Sequence, residues 1–277
     1  METYQITATI VTYKNDIEIL RKTIESFLNT QLKVKLYIVD NSADVAIKKL
    51  CQSYPVEYIA MPKNIGFGAG HNFILRQTNL LGKYHLVLNP DIYFDEKVLG
   101  KIFAYMETHT NIGNIMPKIL YPDGKIQYLC KLLPKPINWI GRILIPFKSI
   151  KQQLDYNFEM RFTDYNHTMQ VPYLSGCFMF LRRQAIEKVG VFDEGIFMYG
   201  EDTDLNRRIG KYYQTTFYPE VSIIHNFEKG SHKNLHLFII HVKAAIYYFN
   251  KWGWFFDKER KLINTSTKVL YFNIVNQ

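Results

Sequence analysis

The first third of the chain alternates strand and helix patterns, and this alternation restricts its possible folds more than any other feature. "ITATIVTY" is rich in β-formers. "DIEILRKTIESFL" places Ile17, Leu20, Ile24, Phe27 and Leu28 on one helical stripe, and "VKLYIVD" is again an apolar strand. A helix over "DVAIKKLCQSY" leads to a strand in "VEYIA", a glycine-rich turn, a short helix from about Asn72 and a strand in "YHLVL". Strands alternating with helices argue for a mostly parallel α/β sheet with right-handed crossovers, which receives ligands beyond the carboxyl ends of its strands. Val11-Thr12-Tyr13, Asp40-Asn41-Ser42 and Asn89-Pro90-Asp91 all fall at such ends. Three polar clusters are therefore expected to converge on one crevice.

Beyond a helix in "EKVLGKIFAYMETH" the pattern loosens. "NIGNIMPKILYPDGKIQYL" reads as strand, turn at "PDG" and strand. The proline-bearing stretch that follows, about 132–170, is too long for an ordinary connection and suits a lid, an acceptor-binding insertion or a membrane-facing helix pair. "YLSGCFMFLRR" reads as a strand, "RQAIEKVG" as a helix closed by Gly190, and "EDTDLNRRIGKYY" as a helix whose start is crowded with acids. "TTFYPEVSIIH" adds strands ending on His225, and a last helix is expected over 235–251.

With 277 residues, 47% hydrophobic and 21% charged, the chain has the composition of a globular protein with a substantial core, which excludes disorder. The N-terminus has no basic region ahead of an apolar run, and "LHLFIIHVKAAIYYF" is interrupted by Lys243 and histidines. A soluble or peripheral protein without a signal peptide is expected. Cys51, Cys130 and Cys177 lack CxxC spacing, which suggests neither a disulfide framework nor a zinc knuckle and fits a reducing cytoplasm. The net charge of +9 favours an anionic partner. Basic and aromatic residues gather in "PKPINWIGRILIPFK" and "YYFNKWGWFFDKERK", which suits a membrane interface and equally a solvated basic face over a core helix. No nucleic-acid recognition signature is present, so no nucleic-acid partner is expected.

Three motifs carry chemistry. Asp91 in "LVLNPD" is either a turn acceptor, since Pro90 lacks an N–H, or a carboxylate facing the crevice, and the convergence of strand ends favours the second. "NIGFGAGHN" clusters glycines at 66, 68 and 70 but has His71 where a dinucleotide fingerprint needs its third glycine. It reads as a backbone loop approaching a phosphate or sugar, with Asn72 near a helix start. In "YGEDTDLNRRI", capping accounts for one acid, while Glu201 beside Asp202 is denser than capping requires. Repulsion and burial would raise a carboxylate towards the range of a general base.

In order along the chain, "TIVTYKN", "LYIVDNS", "NIGFGAGHN", "LVLNPD", "YPDG", "SGCFMFLRR", "VGVFDEGIFMYGEDTDLNRR" and "IIHNFEKGSH" resemble an inverting glycosyltransferase of family two, rhamnosyltransferase-like branch, over about 6–232. The resemblance implies a GT-A fold: one catalytic domain over 1–277, with a nucleotide-sugar half (1–95), an acceptor-binding and catalytic half (96–234) and a helical tail (235–277). It implies a UDP- or dTDP-sugar donor, a divalent Mg²⁺ or Mn²⁺, and single displacement onto a saccharide hydroxyl, while the basic-aromatic stretches suggest an acceptor held on a polyprenyl diphosphate at the inner face of the membrane. Asp91 matches the retained acid of the metal motif, with Asn89 in place of its first acid, and His225 matches the late histidine that completes the site. Asp40 matches the nucleobase-binding acid. Thr12, Tyr13, Asn15 and Asn41 match the nucleotide loops, and Asn64, Gly66, Phe67 and Asn72 the sugar and diphosphate loop. Asp202 matches the catalytic base, with Glu201 beside it. The alternatives are a catalytically inert nucleotide-sugar-binding or scaffold protein of the same pathway, which retention of Asp91 and Asp202 argues against, and a metal hydrolase using His232 and His236, which lacks the glutamate of H-E-x-x-H.

Overall fold

The apolar strand patterns near the N-terminus form a parallel sheet. β1 (Ile6–Thr12), buried at every position, pairs in parallel with both β2 (Val34–Asp40) and β4 (Tyr84–Leu88), and β3 (Val56–Ala60) extends the sheet beyond β2. The computed structural model describes residues 4–141, 145, 147–227 and 235–275. α1 (Ile17–Leu28) is started by Asp16, whose carboxylate accepts from the Glu18 and Ile19 N–H groups, and buries Leu20, Ile24 and Phe27 as their spacing requires. α2 (Val45–Cys51) follows β2. α3 (Phe67–Leu75) begins five residues earlier than the sequence suggests, so Asn72 lies in its second turn.

Past β4 the sheet changes direction. β10 (Phe178–Arg182) enters antiparallel between β4 and β6 (Ile112–Leu120), then come β11 (Gln214–His225) and β5 (Ile92–Tyr93), in the order β3-β2-β1-β4-β10-β6-β11-β5. β8 (Met169–Gln170) pairs with β11 and brings this sheet to nine strands among the described residues. "YLSGCFMFLRR" is thus not one strand. Ser175-Gly176-Cys177 separates β10 from β9 (Tyr173–Leu174), which pairs instead with β7 (Cys130–Lys131). After the "PDG" turn, where Gly124 has φ +82, the second expected strand is reduced to one bridge between Leu120 and Ile126.

Alternation along each strand divides the core between the two faces of the sheet. Ile6, Ala8, Ile10, Leu86, Leu88, Phe178 and Phe180 pack with α1 and with Val98, Leu99 and Ile102 of α4 (Lys97–Thr108). Val11, Val87, Met179 and Leu181 pack with α3, α6 (Arg183–Val189) and α7 (Glu201–Ile209). Within the irregular stretch lie a π-helical turn (Ile137–Gly141) and α5 (Lys148–Phe158). The C-terminal part holds two helices, α8 (Leu235–Trp252) and α9 (Lys258–Val275), with Gly253 at φ +101 between them. No described helix is long and apolar enough to cross a membrane.

Candidate active site

The polar ends of β1, β2 and β4 share one sheet edge, and hydrogen bonds connect the loops that leave it. The Asn41 N–H donates to the Thr12 carbonyl (2.8 Å), the Tyr13 N–H to Asn15 Oδ1 (2.8 Å), and the N–H of Lys14, at φ +54, to Ser42 Oγ (3.1 Å). Asn64 Oδ1 accepts from the Gly66 N–H (3.0 Å), and Asn41 Nδ2 donates to the Gly66 carbonyl (3.1 Å). The Phe67 N–H donates to the Phe197 carbonyl (3.0 Å). This ties the donor-side loop to the segment preceding the acid pair.

Three sequence expectations change in this region. The close approach made by the glycines is to protein, not to an open face. At φ +92, a Cβ on Gly66 would overlap the Phe197 carbonyl, and a Cβ on Gly70 would come within 2.8 Å of Val11 Cγ2. Asp40 is fully buried and its carboxylate already accepts four hydrogen bonds, from the Ser42 N–H and hydroxyl, the Asp44 N–H and the Tyr58 hydroxyl. Burial alone would raise this carboxyl, but the four donors outweigh it and hold the group below its ordinary value. Asp40 therefore shapes the loop, with Ala43 at φ +49. The open acceptors are its neighbours, Asn41 Oδ1 and Thr12 Oγ1, both buried without a hydrogen-bond partner. Asn72 is likewise fully engaged: its amide donates to the Phe192 carbonyl and Glu194 and accepts the Phe192 N–H. It positions 192–194 from a distance.

Asp91 faces His225, with Oδ1 and Nε2 3.3 Å apart, at the edge where β5 pairs with β11. The Asp91 carbonyl accepts the Asn226 N–H (2.9 Å). On the far side of the ring, Gln127 donates Nε2–H to the His225 carbonyl (2.8 Å), so its Oε1 faces His225 Nδ1 (2.9 Å) and requires the proton there. The Nε2 lone pair is thereby turned towards Asp91 Oδ1, and neither atom has a hydrogen bond. Two buried acceptors held face to face fit a cation. Among the described residues no cluster of three His, Cys, Asp or Glu exists, so the remaining ligands of a metal would come from a bound diphosphate or water.

Glu201 and Asp202 open α7 directly after Tyr199 (φ +72) and Gly200 (φ +108), a backbone that turns both carboxylates inwards. Both are buried. Asp202 Oδ2 accepts from the Gly176 N–H (2.8 Å) and the Tyr173 hydroxyl (3.2 Å), and Oδ1 from the Thr203 N–H (2.7 Å). Burial raises both carboxyls. It is reinforced at Glu201 by the Asp202 charge and moderated at Asp202 by Gly176, Lys131, Thr203 and Tyr173, so Glu201 is displaced well above its ordinary value and Asp202 less far. Glu201 Oε2 has no partner. Asp204, by contrast, is structural: it accepts from Arg208, Lys251 and Trp252 and fastens α8 to α7.

Consecutive residues join the two acidic centres. Gly176 donates to Asp202, and the carbonyl of Cys177 accepts the Asn89 N–H (2.9 Å). Gln127, Tyr173 and Gly176 carry no local sequence signal for these duties, because each acts on a residue at least 26 positions away. The hydrolase alternative requires His232, which lies outside the described residues.

The fold agrees with known proteins. The model of glycosyl transferase family 2 matches residues 8–190, and the chain belongs to that family. Glu201, Asp202 and His225 lie beyond the matched span. Over 229 residues the chain is 26% identical to the N-acetylglucosaminyl-diphospho-decaprenol L-rhamnosyltransferase of Mycobacterium tuberculosis, covering 78% of this chain and 74% of the relative. It is 27% identical over 206 residues to the rhamnosyltransferase WbbL of Escherichia coli K12, covering 69% and 71%. The mannosyltransferase PcManGT of Pyrobaculum calidifontis, solved with GDP-Man and Mn²⁺, superposes with a TM-score of 0.59 at 14% identity over 90% of this chain and 64% of that one. This chain spans just under two thirds of the mannosyltransferase's length, and the likeness shows a common GT-A fold. The chain is a sugar-transferring enzyme related in sequence to rhamnosyltransferases.

Proposed function

We propose that the chain transfers a hexose, or a deoxyhexose such as rhamnose, from a UDP- or dTDP-sugar to a saccharide hydroxyl with inversion, during assembly of a bacterial surface polysaccharide. The acceptor is carried on a polyprenyl diphosphate at the cytoplasmic face of the membrane. The observation that supports this reading is the link through Gly176 and Cys177, which connects Asp202, a carboxylate of raised proton affinity, to Asn89 in the segment that carries Asp91. The acceptor named in the mycobacterial relative and the GDP-Man and Mn²⁺ of the mannosyltransferase support the substrate classes.

Asp202 takes the proton of the acceptor hydroxyl while that oxygen bonds to the anomeric carbon. The bond to the nucleoside diphosphate breaks on the opposite face, and its electron pair leaves with the diphosphate. Tyr173 and Gly176 keep the carboxylate oriented, and burial keeps its proton affinity high. Asp91 and His225 would hold Mg²⁺ or Mn²⁺, with Asn89 alongside. Such an ion, when bound, neutralises charge on the departing diphosphate. Thr12, Asn41 and the half-exposed Tyr13 ring line the nucleoside end, while Asn15, Asp40, Asn64, Gly66 and Phe67 hold the loops in shape.

A thermal-shift screen of nucleotide sugars with and without Mn²⁺ tests the donor and the metal together, because a ligand of the native state raises the melting temperature with the logarithm of its concentration. In that assay Asp91→Ala abolishes the metal-dependent part of the shift and leaves the apo melting temperature nearly unchanged, since the buried Oδ1 has no hydrogen-bond partner. A mutant that instead loses several kcal/mol of stability with ligand binding intact would make Asp91 a turn residue only. Gln127→Leu releases the His225 ring and weakens Mn²⁺ binding in the nucleotide complex by about 10- to 100-fold. An unchanged Mn²⁺ titration would remove Gln127 from the site.

A further inference from the structure

Most of the aromatic residues in the two basic-aromatic stretches are not surface. Trp139, Tyr248 and Phe249 form a buried cluster, Trp252 lies against Arg207, Lys211 and Lys251, and Trp254 packs on Phe249. Phe147 and Tyr247 are exposed singly, and the largest exposure gathers at the corner between α8 and α9. Phe255 is 76% exposed, Phe256 99%, and Leu262, in the second turn of α9, 68%. Scattered exposed apolar residues need no explanation, but adjacent phenylalanines projecting from a helix corner do.

The charge around this corner has one sign. Lys258 and Lys261 are exposed and form no ion pair among the described residues. The neighbouring acids are already neutralised: Asp257 pairs with Arg207 (2.7 Å), and Glu259 pairs with Arg207 (2.7 Å) and Lys211 (3.5 Å). Aromatic tips among unmatched lysines match the order of a bilayer surface, where anionic headgroups lie above an apolar interior. A second copy of the chain fits less well, because identical unmatched lysines would face each other and three side chains cover far less than a stable interface needs.

We propose that the corner formed by Phe255, Phe256, Lys258 and Lys261 docks on an anionic lipid bilayer. This rests on the reading of a polyprenyl-linked acceptor and adds the orientation in which that acceptor is met. The two-point Arg207–Asp257 bond fastens the corner to α7, and Arg207 lies five residues past Asp202, roughly 7.5 Å along the helix. Docking at the corner therefore sets the height of the catalytic helix above the headgroups.

The experiment is co-sedimentation of the full chain with phosphatidylglycerol-containing vesicles and with pure phosphatidylcholine vesicles, at low and high salt. Wild type sediments with the anionic vesicles at low salt, is released at high salt because its charges act through screened solvent, and ignores the neutral ones. Phe255→Ser/Phe256→Ser lowers the partition by roughly 10- to 100-fold, and Lys258→Gln/Lys261→Gln removes the preference for anionic lipid. All four side chains are exposed, so both variants keep the wild-type melting temperature and the nucleotide-sugar shift. That shift reads the proposed activity separately, so failure of one reading is distinguishable from failure of the other. Wild type that ignores anionic vesicles, a phenylalanine variant that binds like wild type, or a dimer split by that variant without vesicle binding would each overturn the proposal.

Discussion

Asp202→Asn lowers the rate of sugar transfer by about 10²- to 10⁴-fold, the share of a positioned general base. Its melting temperature and donor-induced thermal shift stay close to wild type. Asparagine keeps the shape of the side chain and an oxygen for the Gly176 N–H and the Tyr173 hydroxyl, and gives up the hydrogen bond that Oδ1 accepts from the Thr203 N–H. Losing the charge also relieves Glu201, whose carboxyl is raised by burial and by Asp202. The pH profile provides a second check. The base works only without its proton, and burial raises the Asp202 carboxyl, so wild-type turnover rises with pH through a window above the ordinary aspartate value. The variant lacks that rise. Release of nucleoside diphosphate followed across pH reads both effects, and near-normal turnover in the variant would transfer the role to Glu201.

Asp257→Ala destabilises the fold by about 3–5 kcal/mol, the cost of leaving one member of a buried ion pair uncompensated. Only 1% of the Arg207 side chain and 3% of that of Asp257 are exposed, and two hydrogen bonds of 2.7 and 2.8 Å join them. Burial opposes the charged guanidinium, but Asp257, together with Tyr248 and Glu259, outweighs it and holds Arg207 above its ordinary value. Glu259 is 39% exposed and screened by water, so it replaces little of what is lost. At roughly 2–4 °C per kcal/mol for a domain of this size, thermal unfolding should begin 6–20 °C lower. Arg207→Met/Asp257→Leu removes both charges and recovers much of the loss. A single variant within about 1 kcal/mol of wild type would show that Glu259 alone satisfies the arginine.

Much of this protein follows from local pattern. Period-two strands and the helical stripe of α1 specify their own elements, and right-handed crossovers place the carboxyl ends of β1, β2 and β4 on one edge whatever the loops do. The shared edge of the ends of β1, β2 and β4 was therefore determined by the sequence alone, as was the crowding of acids at Glu201 and Asp202. Tertiary structure decided what each of those groups is free to do. Asp40 became a loop organiser because Tyr58, eighteen residues away, completes its hydrogen bonds, and Asn72 because Phe192 and Glu194 engage its amide. His225 acquired a defined lone pair from Gln127, 98 residues distant, and the aromatic run near the C-terminus was divided into core and surface by the turn at Gly253. A hydrogen-bond partner or a covering side chain contributed by a distant segment leaves no periodic trace in sequence, since only the folded chain brings donor and acceptor within 3 Å of each other.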